Sequence, residues 1–161
     1  MPYELQANSD ADDLWVKPNF PGAPALGPFL NANGQELHKL VADGNLEQVD
    51  FTPRFARTNA GWRIGDLLWT TYFMKIASRR LIDVLEAIEA TGYRSFPVEV
   101  VDTDGSSLGA FDGLAVLDAD PSHDLYFSNG AQFWSFIASD RVVEALRAAD
   151  VTGLSIKPAW Q

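Results

Sequence analysis

The sequence predicts an α+β fold: an internally duplicated helix–strand unit, two helices packed on a mainly antiparallel sheet, and an irregular Pro/Gly-rich N-terminal arm. Three observations carry this. Residues 76–98 and 137–159 match at nine of 23 positions, at a constant offset of 61 and without a gap. Within each copy apolar residues recur at helical spacing, Leu81, Val84, Leu85 and Ile88 in one, Val142, Ala145, Leu146 and Ala149 in the other. Ahead of them Pro18, Pro21, Pro24 and Pro28, with Gly22 and Gly27, exclude a helix and interrupt any central strand.

Taken in chain order, residues 1–60 form the arm and one short helix. Trp15, Phe20, Leu26 and Phe29 interleave with the prolines, so the arm is expected to lie on the core. Leu37, Leu40 and Val41 predict a helix over Gln35 to Ala42, closed by Gly44, and Leu46 to Phe51 reads as a strand. Repeat one, 62–101, runs from an Asp66-Leu-Leu-Trp-Thr segment to a helix capped by Ser78, a glycine stop at Gly92 and a strand from Tyr93 to Val101. A further strand falls at Gly113 to Leu117. Repeat two, 120–160, repeats the order with Asp124-Leu-Tyr-Phe-Ser, an Asn129-Gly130 hairpin turn, Ser139, Gly153 and a strand from Leu154 to Trp160. Glycines 92 and 153 are read as left-handed C-caps. At 161 residues and 47% hydrophobic, the whole chain, 1–161, fits a single domain.

Composition narrows the function. With no cysteine the chain has no disulfide, thiolate nucleophile or Cys-ligated metal. Its net charge of −10 repels phosphate backbones, so nucleic acid is not an expected partner. No apolar run reaches the roughly 18–20 residues of a membrane span, so neither is a membrane. The first 13 residues carry acids and no base, the wrong charge for a leader, and a cytoplasmic location is expected. Homodimerisation stays open.

No catalytic or metal motif stands out, and no cofactor is expected. Asp102-Thr-Asp104-Gly105 starts like a calcium loop but lacks the later ligands. Ser122-His123-Asp124 holds the letters of a hydrolase triad, yet adjacent residues do not line up as nucleophile, base and orienter. Between Arg94 and Arg141 lie eight acids and no base. Asp102, Asp104, Asp112, Asp118, Asp120 and Asp124 are therefore candidate partner-binding residues, a field able to steer a basic partner, although turn formation accounts for the same aspartates. Trp62, beside glycine, and Trp160, near the chain end, join them as interface anchors, whereas Trp69 and Trp134 are expected in the core. Arg80 and Arg141 sit badly for the helix dipole and are expected to reach Asp66 and Asp124.

Ile-Ala-Ser-x-Arg, an amphipathic helix, Thr-Gly and a Pro-containing strand together resemble the immunity proteins of bacterial polymorphic toxin systems, in particular immunity family eleven of the Myxococcus type. Asp66, Leu67 and Leu68 match that family's segment before the helix, Ile76 to Leu81 its helix entry, and Thr91, Gly92, Pro97 and Val98 its exit. Phe136 to Pro158 matches its C-terminal ending, and the likeness covers about residues 64–160. Every matching position is a cap, a core contact or a glycine stop, so no catalytic residue carries over. The resemblance implies a non-enzymatic intracellular protein that binds and neutralises a cognate toxin domain, often a neighbouring gene's product, by stoichiometric complex formation. The acidic surface favours a basic toxin such as a nuclease. An acidic regulatory or scaffold module without a toxin partner is the alternative reading, and a small hydrolase or metal-dependent enzyme the third.

Overall fold

The computed structural model describes residues 1–19, 30–70, 74–128 and 135–159. The protein is α+β and mostly sheet, with three helices, ten strands and two hydrophobic clusters among these residues.

Six strands close into a barrel, in the order β2 (Trp15–Pro18), β3 (Arg54–Arg57), β6 (Tyr93–Val101), β7 (Phe111–Val116), β5 (Lys75–Ser78) and β4 (Leu67–Thr70). Alternation along the strands sorts the side chains. Val16, Phe55, Leu68, Ile76, Val100, Phe111 and Ala115 fill one cluster together with Leu37 and Val41 from the six-residue helix α1 (Leu37–Ala42). Their chain neighbours Leu67, Ala77, Leu114 and Val116 belong to the other cluster, under α2 (Arg79–Ala87) and α3 (Asp140–Ala148). Burial of Leu81, Ile82 and Leu85, and of Val142, Val143 and Leu146, roots both helices there. Each such fully buried side chain is worth about 1.5–3 kcal/mol of hydrophobic transfer.

A four-stranded antiparallel sheet covers the same cluster, ordered β10 (Leu154–Pro158), β1 (Tyr3–Ala7), β9 (Ser135–Ala138) and β8 (Leu125–Tyr126). Its registers mirror those of the barrel flank β6-β7-β5-β4. Leu67 faces Ala77 as Leu125 faces Ala138, and Tyr93 faces Val116 as Leu154 faces Ala7. Ile76 pairs with Gly113 as Ile137 pairs with Glu4. β1 therefore occupies the slot in this sheet that β7 occupies in the barrel.

Several expectations need correction. Residues 1–19 are not an irregular arm: they supply β1, which lies inside the sheet, and β2, a barrel strand. Tyr3–Ala7 alternates apolar and polar residues as a half-buried strand does, although its partners lie far along the chain. The prolines at 21, 24 and 28 fall outside the described residues, as do Asn129-Gly130 and Trp134. Strand pairing is mainly antiparallel, as expected, but it is divided between a barrel and a separate sheet, and the parallel pairs β2–β4 and β3–β6 close the barrel. Leu46–Gln48 is a 3-10 turn rather than a strand. Trp69 packs half-buried against the core, as expected of it.

The glycine stops also act differently. Both helices end on a left-handed residue that is not glycine: Glu89 and Asp150 each have φ of 53°. Ala90 N–H bonds the Leu85 carbonyl and Val151 N–H the Leu146 carbonyl, the six-residue closure of a Schellman cap. Gly92 and Gly153, also at positive φ, follow three residues later at the approach to each strand.

Candidate partner-binding surface

Two aspartates fix how the loops at either end of the helix pair are held. Asp66 accepts from Ser78 Oγ at 2.6 Å, from Arg80 at 2.6 Å and from the Thr152 amide at 2.8 Å. Asp124 accepts from Ser139 Oγ at 2.8 Å, from Arg141 at 2.7 Å and from the Thr91 amide at 2.9 Å. Each arginine continues to the opposite helix's end, Arg80 to the Ala149 and Asp150 carbonyls and Arg141 to those of Ile88 and Glu89. The guanidinium badly placed for its own helix dipole is thus well placed for the other's. α2 and α3 are consequently antiparallel, with the two clamps at opposite ends, separated by roughly 13 Å of helix.

Burial raises the Asp66 carboxyl, but hydrogen bonds from Arg80, Ser78 and Thr152 outweigh it and hold it below the usual range. The Arg141 hydrogen bond does the same for Asp124, more strongly. Ser78 also caps α2 by accepting from Leu81 N–H, whereas the Ser139 hydroxyl makes no cap bond. Asp124 is 9% exposed, so it is removed from any partner surface: the polar groups around it hold it inside the fold.

The other acids do not form one field. Asp112 lies under Arg79, bonded at 2.5 Å, and is likewise a poor contact residue. Asp102, half-buried, takes the Thr103 amide and Arg57, which together lower its carboxyl pKa. Asp104 is exposed, its pKa lowered by the Ser106 hydroxyl and amide. Asp118 and Asp120 are exposed in a turn braced by the Asp120 and Ser122 amides. The Asp102–Ser106 turn follows one end of β6, and the Asp118–Ser122 turn lies at the other, roughly 27 Å away for nine extended residues. His123 turns from Asp124 and brings Nδ1 within 3.2 Å of Asp118, so Ser122-His123-Asp124 builds no triad.

The structure links the loop that carries Trp62 to Asp102 through Arg57. Arg57, paired with Asp102 at 3.0 Å, also donates to the Gly61 carbonyl, which joins the Asp102–Ser106 turn to the loop Gly61-Trp-Arg-Ile-Gly65. That loop is pinned at both ends. Trp62 N–H and Arg63 N–H both bond the Asp12 carbonyl at 2.9 Å, and a Cβ on Gly65 would sit 2.5 Å from the Gly153 Cα. On this fixed backbone Trp62 is 69% exposed and Ile64 45%. Arg63 lies 5.8 Å from the Trp62 ring centroid and 3.2 Å from Asp13. An open hollow of about 420 Å³ runs beside them, bounded by Asn8, Asp10, Asp13, Thr152 and Gly153.

Asp10, Asp12 and Ile64 were not singled out by sequence reasoning. The available signal was the pair of glycines bracketing Trp-Arg-Ile, and an Asp10-Ala-Asp-Asp run whose neighbour is some fifty residues distant. Trp160 lies outside the described residues. Among the described residues no three His, Cys, Asp or Glu side chains are grouped to hold a metal, and no helix is long and apolar enough to cross a membrane. No protein-family model matches the chain, and no curated protein matches it in sequence.

Proposed function

We propose that this is an immunity-type protein, which binds a cognate toxin domain stoichiometrically and neutralises it by occluding or distorting its active site. The carrying observation is the pinned loop that exposes Trp62 and Ile64 on a hollow shared with Asp10 and Asp13. Exposed tryptophan on preorganised backbone is what an interface anchor needs, because little side-chain or loop entropy is lost on docking. The resemblance of residues 64–160 to immunity proteins supports the same reading. So does the acidic surface, which accelerates association with a basic target. The matching registers and nine identical positions further support descent of both four-stranded units from one duplicated helix–strand unit.

Co-expression with the toxin-like product of the adjacent gene tests this. Growth rescue and a defined complex in native mass spectrometry are the expected results; neither appearing rejects the immunity reading.

A further inference from the structure

We propose that the hollow beside Trp62 seats a lysine- or arginine-bearing segment of the partner protein, its aliphatic stem along Trp62 and Ile64 and its cationic head toward Asp10 and Asp12. This rests on the protein-binding reading above and names the chemistry of its seat.

Three features select that occupant. Two exposed apolar side chains stand among the polar lining residues, Trp62 at 69% and Ile64 at 45%, which suits methylene stems or an apolar neighbour. The charge is unbalanced: Asp10 and Asp13 line the hollow and share Arg63, whose guanidinium is 3.2 Å from Asp13 and 3.9 Å from Asp10, and Asp12 adjoins them through its carbonyl's bonds to the Trp62 and Arg63 amides. Asp10 keeps 86% of its side chain in solvent and Asp12 is exposed. The nearest other cations are already matched, Arg57 to Asp102 at 3.0 Å and Arg80 to Asp66 at 2.6 Å. An incoming lysine or arginine therefore meets the exposed Asp10 and Asp12, sharing Asp10 with Arg63, whose contact to it is the longer of its two. An acidic segment meets repulsion.

The test selects a phage-displayed random dodecapeptide library on the immobilised full chain, in parallel with W62S/I64S and D10N/D12N. The expected outcome is enrichment of sequences placing Lys or Arg beside an apolar residue. Their affinity should fall at least tenfold on both double variants and with added salt, while D118N/D120N, at the far end of the fold, binds as the parent does. Because these side chains are exposed, an unchanged thermal midpoint confirms that each variant folds. No enrichment, enrichment of acidic or salt-indifferent peptides, or equal binding to W62S/I64S overturns the proposal. A dimer in light scattering that W62S/I64S dissolves assigns the seat to a second copy of the chain and also overturns it.

Failure of the seat and failure of the immunity reading remain separate results. Rescue by the adjacent product that survives both double variants rejects the seat alone, whereas Trp62-dependent cationic peptides without rescue reject the immunity function alone.

Discussion

Asp66 and Thr152 stand 86 positions apart in the chain and meet at 2.8 Å, the threonine amide donating to the carboxylate. Asp124 and Thr91 repeat the contact at 2.9 Å in the opposite sense, so each half of the chain is fastened by the other. Removing either carboxylate leaves a guanidinium, a hydroxyl and an amide without their acceptor. We expect D66A and D124A each to lower unfolding free energy by about 2–3 kcal/mol, below the range for fully buried pairs because both arginines are half exposed. Urea denaturation measures it, and a loss under 0.5 kcal/mol would show the clamps to be idle.

The same carboxylates set the acid limb of stability. Their folded pKa values are depressed, so their contribution is present above the unfolded value near 4 and is lost as pH falls through the folded values. Stability followed from pH 6 to pH 2 should therefore decline steeply in the parent. D66N/D124N should show a flatter decline from a lower starting point, and parallel curves would contradict the assignment.

Two glycines with similar backbone angles should respond differently to alanine. A Cβ on Gly153, at φ +82°, would sit 2.5 Å from the Gly65 Cα, while one on Gly105, at φ +85°, would have nothing within 4 Å. G105A should cost about 1 kcal/mol, the left-handed penalty alone. G153A adds a backbone clash and should cost at least twice as much in the same denaturation assay.

Lys75 gives a pH effect of opposite sign to the usual lysine. It is 5% exposed on β5, and burial lowers its pKa from 10.5 to about 7. Between those values the unfolded chain binds the extra proton, so stability rises with pH, at most by about 1.4 kcal/mol per unit. Melting curves from pH 7 to 9.5 should climb in the parent and stay nearly level in K75M.

Local periodicity made the helices, their serine entries and the strand from Tyr93 to Val101 readable, because each depends on residues within one turn or one strand. The Arg80–Asp66 and Arg141–Asp124 pairs were readable because both halves carry both groups. Barrel closure was not: β2–β4 and β3–β6 are parallel pairings of distant segments, with no turn chemistry to announce them. The helix stops were misassigned, since glycine is the usual left-handed residue and here Glu89 and Asp150 take that place at a cost of about 1–2 kcal/mol each. At the candidate surface, glycine beside Trp62 signalled exposure correctly. The acidic window misled because the β6–β7 hairpin carries its turns to opposite ends, a separation invisible in a linear count of charge.

The central position of β1 imposes an order on biosynthesis. Tyr3 finds its neighbours at Ala138 and Pro158, so at about 5–20 residues per second β1 waits roughly 7–30 s after its own synthesis for them. All strands of the barrel are synthesised by Val116, and its β4–β7 flank is contiguous in the chain. The barrel can thus assemble before β9 and α3 are made, leaving β1 an unpaired ribbon until β9 arrives. A nascent chain arrested before β9 should accordingly protect its barrel amides from hydrogen exchange and leave those of β1 open.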